Sequence, residues 1–284
     1  MKSFFASLLT GLLLFSASQV SAIEGEPGIV MASTIGPIDA GIVGALEQAF
    51  EKETRIKVRH VGAGTGAALD IARQGKVDLV MVHARSLEEK FVAEGYGTKR
   101  IPFMYNDFVI LGPASDPAGI KGMKSATAAL RKVAAQGALF ISRGDRSGTH
   151  VAEMGLWEMA GVKPGGSWYK IYEKGAEGNV ATLRYTDQQG AYSVIDRATF
   201  LSLQKEIRLV ILVEKDEVLL NFISLIPVNP AKFPKVNARE VQTFVAWLTG
   251  PENGQRIVME FGKDKYGSPL FFPNSEEWKA SRGK

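Results

Sequence analysis

Three short segments of this 284-residue chain share one chemical design. They are Ala32-Ser33-Thr34-Ile35-Gly36-Pro37, Gly62-Ala63-Gly64-Thr65-Gly66-Ala67 and Ser142-Arg143-Gly144-Asp145-Arg146-Ser147-Gly148-Thr149. Each sets small or hydroxyl-bearing residues between a strand-like run and a helical pattern. A helix start leaves backbone N–H groups without partners and carries a partial positive charge. Glycine lets an anion approach those N–H groups, and Ser or Thr adds hydroxyl donors. Taken singly, each segment is an ordinary helix N-cap. Taken together, with the planar fork of Arg143 in the third, they could build a cage of donors around one oxyanion.

Other chemistries find less support. Gly62 to Gly66 lacks the Gly-Lys-Ser/Thr ending of a phosphate-binding P-loop, and Ala67 breaks a G-x-G-x-x-G pattern. Ser147 is flanked by Asp145 and Thr149 where a serine-hydrolase elbow needs glycines. The three histidines, His60, His83 and His150, show no metal-ligand spacing, so no metal cation is expected. His83 follows a strand and could line a pocket wall, and His150 could help hold the third segment. Asp145 has two readings: an inward acceptor for a protonated anion, or a brace that holds Arg143 or Arg146. Cysteine is absent, which excludes thiol catalysis, thiolate metal sites and a lipid-modified cysteine.

The elements that must position the three segments alternate between strand and helix. Strand character appears at Gly28 to Ala32, Ile56 to Val61, Val77 to Val82, Met104 to Gly112, Ala138 to Ile141, Ala191 to Ile195, Leu209 to Val213 and Asn221 to Val228. Helical spacing appears at Asp39 to Glu53, Ala67 to Gln74, Leu87 to Glu94, Thr127 to Ala135, Thr149 to Ala160, Glu240 to Leu248 and Gly254 to Phe261. This alternation predicts an α/β fold with a largely parallel sheet. The β-prone stretches near 104–112 and 209–228 are the candidate crossovers between two lobes. They divide the chain into lobe I, 23–110 and 214–284, and lobe II, 111–213.

Residues 1–22 read as a cleavable signal peptide. Lys2 precedes an apolar run from Phe4 to Phe15, and small residues end the segment at Ala22. The expected compartment is the periplasm, because a receptor without a lipid anchor needs an outer barrier to retain it. Hydrophobic residues make up 45% of the chain and charged ones 23%, an ordinary globular composition. The net charge of +4 is scattered, with no Lys/Arg block that would indicate nucleic acid.

Several stretches resemble the tungstate-binding proteins of ABC importers. They are Ser142 to His150, Val82-His83-Ala84, Lys90 to Gly97, Met104 to Pro113, Leu219 to Ser224 and Val228-Asn229-Pro230. The likeness runs from about residue 29 to 262 and departs at Ile35-Gly36-Pro37, where the family carries a run of Thr and Ser. It implies a type II periplasmic binding fold, two α/β lobes joined by a two-strand hinge. It maps the ligand onto Ser33, Thr34, Gly64, Thr65, Gly66, Arg143, Ser147, Gly148 and Thr149. The implied ligand is tungstate or molybdate, with no cofactor and no catalysis. The implied partners are a membrane permease and its ATPase, served by a monomer. A phosphate receptor and an oxyanion sensor for a membrane signalling protein are the alternatives.

Overall fold

The computed structural model describes residues 28–283. The expected signal peptide, 1–22, lies outside them. The strands are β1 (Gly28–Ser33), β2 (Lys57–Gly62), β3 (Leu79–Val82), β4 (Ile101–Gly112), β5 (Phe140–Ser142), β6 (Tyr169–Ile171), β7 (Ser193–Asp196), β8 (Val210–Val213), β9 (Leu220–Pro227) and β10 (Phe272–Pro273).

The first lobe is built on the order β10-β4-β9-β3-β1-β2. Strands β1, β2 and β3 are parallel, but β9 returns antiparallel to both β3 and β4, and β7, β8 and β10 are antiparallel to β4. The sheet is therefore mixed and not largely parallel as expected, because the long strands β4 and β9 cross between lobes instead of closing strand–helix–strand units. The period-two alternation of β1 sends Ile29 and Met31 to one face and Val30 and Ala32 to the other. On the first face, helices Ile42–Thr54, Ala238–Thr249 and Gly254–Glu260 bring Leu46, Phe50, Phe244 and Val258. On the second, helices Thr65–Arg73 and Arg85–Ala93 bring Leu69 and Phe91.

The twelve-residue β4 belongs to both lobes. Its first half, ending at Asp107 opposite Leu220, pairs with β9. Its second half, from Phe108, pairs with β7 and β8. Beyond β7, Phe140 of β5 bridges to Tyr192, and β5 pairs in parallel with β6. Phe108 and Ile110 face a core with Leu130, Phe140 and Trp157. Val109 and Leu111 face Leu183, Ile195 and Phe200. Burial on both faces explains why β4 reads as a continuous apolar run. The return crossing leaves β8 through the acidic turn at Glu214 and enters β9 after a short 3₁₀ turn, Glu217–Leu219. The outcome is two α/β lobes joined by two crossings.

Among the helices that escape the periodicity reading are Asn179–Gln189 and Arg197–Leu203. The first is mostly polar. It turns Thr182 and Thr186 inward beside Leu183, and both hydroxyls bond back to carbonyls four residues earlier. Threonines that satisfy their own hydroxyls can be buried without creating an apolar stripe.

Candidate anion-binding site

The first two segments meet at the carboxyl ends of β1 and β2. Ser33 pairs with Gly62 on one side and Met81 on the other. The Thr34 N–H donates to the Met81 carbonyl at 3.1 Å, and the Ala63 N–H donates to the Ser33 carbonyl at 3.0 Å. A Cβ on Gly62 would lie 2.9 Å from Cδ1 of Ile35, so the first two segments pack closely at this junction. The departing residues Ile35-Gly36-Pro37 form the start of a single short helix, Ile35–Asp39.

Thr34 and Gly64 are the N-caps of Ile35–Asp39 and Thr65–Arg73. Neither cap uses a side-chain bond. Thr34 is 2% exposed, yet its Oγ1 finds no hydrogen-bond partner. The same holds for the buried Oγ1 of Thr65. A buried hydroxyl left unpaired costs about 1–3 kcal/mol. Both of these hydroxyls sit beside helix starts.

The third segment follows β5 and leads into the helix Gly148–Met159. Gly144 and Arg146 take left-handed φ of 65° and 62°, which folds the loop tightly. Ser147 is the N-cap, and its Oγ accepts from the His150 N–H at 3.4 Å. The His150 Nδ1 accepts from the Arg146 N–H at 2.9 Å, so its proton sits on Nε2. Burial holds the His150 pKa below its ordinary value, which keeps that acceptor free.

Arg143 is held at both ends of its fork. One terminal nitrogen donates to Oδ2 of Asp145 and the other to Oδ1 of Asn179. Its Nε is buried and unpartnered. Asp145 also accepts from the Ser147 N–H at 3.1 Å, so both of its oxygens are engaged. Burial pushes the Asp145 carboxyl up, but the bonds from Ser147 and the charge of Arg143 outweigh it and hold the group below its usual range. Asp145 is therefore the brace, an ionised one, of the two readings its sequence position allowed.

Asn179 was not legible as a site residue. It opens the helix Asn179–Gln189, and its Nδ2 donates to Oδ2 of Asp196 at 2.6 Å. Asp196 is itself fixed by the Thr199 N–H at 2.8 Å and the Thr199 hydroxyl at 2.6 Å. The relay fixes the amide so that its oxygen faces the guanidinium. The only hint in the sequence is a Gly-Asn pair ahead of a polar stretch.

The two lobes touch at the site. Gly148, at the start of its helix, lies against His83, which follows β3. A Cβ on Gly148 would lie 2.8 Å from Cε1 of His83. Burial pushes the His83 pKa down. Since β3 adjoins β1, this contact sets the third segment over the strand ends that carry the first two. Ligands of open α/β sheets bind at such carboxyl ends. Thr149 is buried in the first turn behind Gly148, while Gly64 and Gly66 stay exposed. Among the described residues, no three His, Asp or Glu side chains gather as a metal site.

Residues 21–252 match the family model described as a PBP superfamily domain. The tungstate-binding protein TupA of Peptoclostridium acidaminophilum is 40% identical over 259 residues, covering 90% of this chain and 89% of that one. The solved structure of the tungstate-binding protein TupA from Desulfovibrio alaskensis G20 superposes with a TM-score of 0.80 at 40% identity, covering 88% of this chain and all of the other. The solved structure titled as the tungstate ABC transporter from Geobacter sulfurreducens gives 0.71 at 42% identity, covering 82% and 98%. The chain therefore belongs to the PBP superfamily and, within it, to the TupA-type binding proteins, a family of solute receptors built on the type II periplasmic binding fold and not a family of enzymes.

Proposed function

We propose that this chain captures tungstate for an ABC importer. The proposed ligand set is Ser33, Thr34, Gly64, Thr65 and Gly66 from one side of the cleft, and Arg143, Ser147, Gly148 and Thr149 from the other. One observation carries the choice of anion. The site presents donors, while Asp145, the carboxylate of the third segment, already accepts from Arg143 on one oxygen and from Ser147 on the other. Tungstate and molybdate are fully ionised near neutral pH and need only donors. Monohydrogen phosphate carries a proton and needs an acceptor. The names of the relatives support tungstate over molybdate.

Lobe I comprises 23–110 and 214–284, lobe II 111–213, and the crossings act as the hinge. The protein works as a monomer in the periplasm after removal of residues 1–22. It delivers its ligand to a membrane permease driven by an ATPase. No described helix is long and apolar enough to cross a membrane.

Calorimetric competition among tungstate, molybdate, sulfate and phosphate tests the reading. Tungstate is expected to bind most tightly, molybdate next and phosphate least. Tight phosphate binding that disappears in Asp145→Asn reverses the assignment. The brace on Arg143 has its own test. Asn179→Ala removes the charge-assisted bond that Asn179 Oδ1 accepts from Arg143, about 1.5–3 kcal/mol of positioning energy, of which part reaches the ligand, so tungstate affinity is expected to fall at least about fivefold. An unchanged affinity shows that Asp145 alone positions the guanidinium.

A further inference from the structure

Behind the third segment lies a carboxyl group that donor-only capture does not use. Glu153 is five residues past Gly148 on the same helix, about 7.5 Å along its axis. It is 1% exposed. Its Oε2 accepts from Ser142 Oγ at 2.7 Å, and its Oε1 accepts from Tyr169 Oη at 2.8 Å and Trp157 Nε1 at 3.1 Å. Ser142 immediately precedes Arg143.

Among the described residues, no cation pairs with Glu153. On the neighbouring helix Ala126–Ala135, Arg131 donates to the Ala160 carbonyl and Lys132 to the Gly119 carbonyl. In the loop after β5, Arg143 and Asp145 hold each other. Lys170 of β6 and Glu158 of the same helix are exposed. Asp196 of β7 serves Asn179, and His150 accepts from Arg146. Only neutral donors reach the carboxyl group. Burial then pushes its pKa up to about 7.

The pocket suits either protonation state. Two of the three donors are hydroxyls, which can turn and accept. Tyr169 Oη also lies 3.7 Å from Met154 Sδ, a second acceptor for its proton. A protonated Glu153 can thus donate to Tyr169 without stranding a hydrogen.

We infer that oxyanion capture is coupled to uptake of one solvent proton by Glu153. The inference rests on the oxyanion reading above. A dianion seated at the start of this helix puts two negative charges within reach of the carboxyl group through a protein interior that screens poorly. Ionised Glu153 becomes costlier once the anion is bound, so its proton affinity rises. Linkage is reciprocal: protonated Glu153 favours the anion by the same factor. The free receptor loses this proton as pH rises through about 7, and the loaded receptor loses it at a higher pH. Affinity is therefore high below that window and falls as pH rises through it.

The test is titration of the full-length mature protein with sodium tungstate in buffers of different ionisation heat. If the anion raises the Glu153 pKa by about one unit, uptake peaks near half a proton per site between pH 7 and 8, and affinity drops about fivefold from pH 7 to pH 9. Glu153→Gln keeps the shape and the acceptor but cannot ionise. It should still bind tungstate, with no proton uptake and a flat pH profile. Infrared difference spectra of the wild type should show a protonated-carboxyl band appearing on tungstate addition, a readout that needs no variant. Binding without buffer dependence overturns the coupling. Uptake that persists in Glu153→Gln assigns the proton to His83 or His150 and also overturns it. No binding heat in the wild type overturns the oxyanion reading instead.

Discussion

Replacing Arg143 with alanine will weaken tungstate binding at least tenfold, about 1.4 kcal/mol. The Arg143 side chain is 12% exposed and its guanidinium is pinned at both terminal nitrogens, which leaves the buried Nε without a partner among the described residues. A charge-assisted hydrogen bond contributes about 1.5–3 kcal/mol, so losing one exceeds the tenfold threshold. Lysine will not restore the affinity, because an ammonium cannot fill the planar fork between Asp145 and Asn179. Asp145 keeps its bond from the Ser147 N–H, so the loop should hold its shape. Calorimetry reports the affinity, and an unchanged thermal melt confirms that the variant is folded. Wild-type affinity in the alanine variant removes Arg143 from the site.

Replacing Arg197 with methionine will lower the melting temperature by about 10 °C. One guanidinium ties both lobe crossings together. Its Nε donates to both oxygens of Asp107, at 2.8 and 3.0 Å. A terminal nitrogen donates to Asp107 Oδ2 at 2.6 Å and to Glu214 Oε2 at 2.8 Å. Asp107 is the last β4 residue paired with β9, and Glu214 follows β8. The Arg197 and Asp107 side chains are 16% and 8% exposed. Removing one member of a buried pair costs about 3–5 kcal/mol, because the other charge is stranded. At about 2–4 °C per kcal/mol for a chain of this size, the shift follows. Asp107→Asn combined with Arg197→Met should recover part of the loss, since no charge is then stranded.

The clasp also has a pH signature. Burial raises the Glu214 carboxyl, but the bonds and charge of Arg197 and Lys215 overcome that and hold it below its ordinary 4.5. A depressed carboxyl stabilises the fold above its unfolded pKa and loses that contribution as pH falls through the folded value. Acid melts of the wild type should therefore steepen below about pH 4.5 more than those of the methionine variant. Parallel acid profiles would remove Glu214 from the clasp.

Much of this molecule was readable residue by residue. The strand–helix alternation and the three helix starts at Thr34, Gly64 and Ser147 are local features, written in periodicity and capping chemistry. Absence of cysteine and of metal-ligand spacing narrowed the chemistry as well. The helix Asn179–Gln189 was not readable, because its buried threonines leave no apolar stripe.

Tertiary structure alone decided how the site is held. Asn179 reaches Arg143 across 36 residues, and Arg197 reaches Asp107 across 90. No periodicity links such positions, because each partner satisfies its own local rules as a helix start or a strand end. Gly148 looks like any glycine in a first turn until His83 is found against it. Glu153 looks like any helical glutamate until Ser142 and Tyr169 arrive from β5 and β6. The sequence by itself determined a receptor with donor-rich helix starts. Folding determined which hydroxyls stay free, which carboxylate braces the arginine and which one is buried without a cation, because burial and pairing are properties of the packed chain.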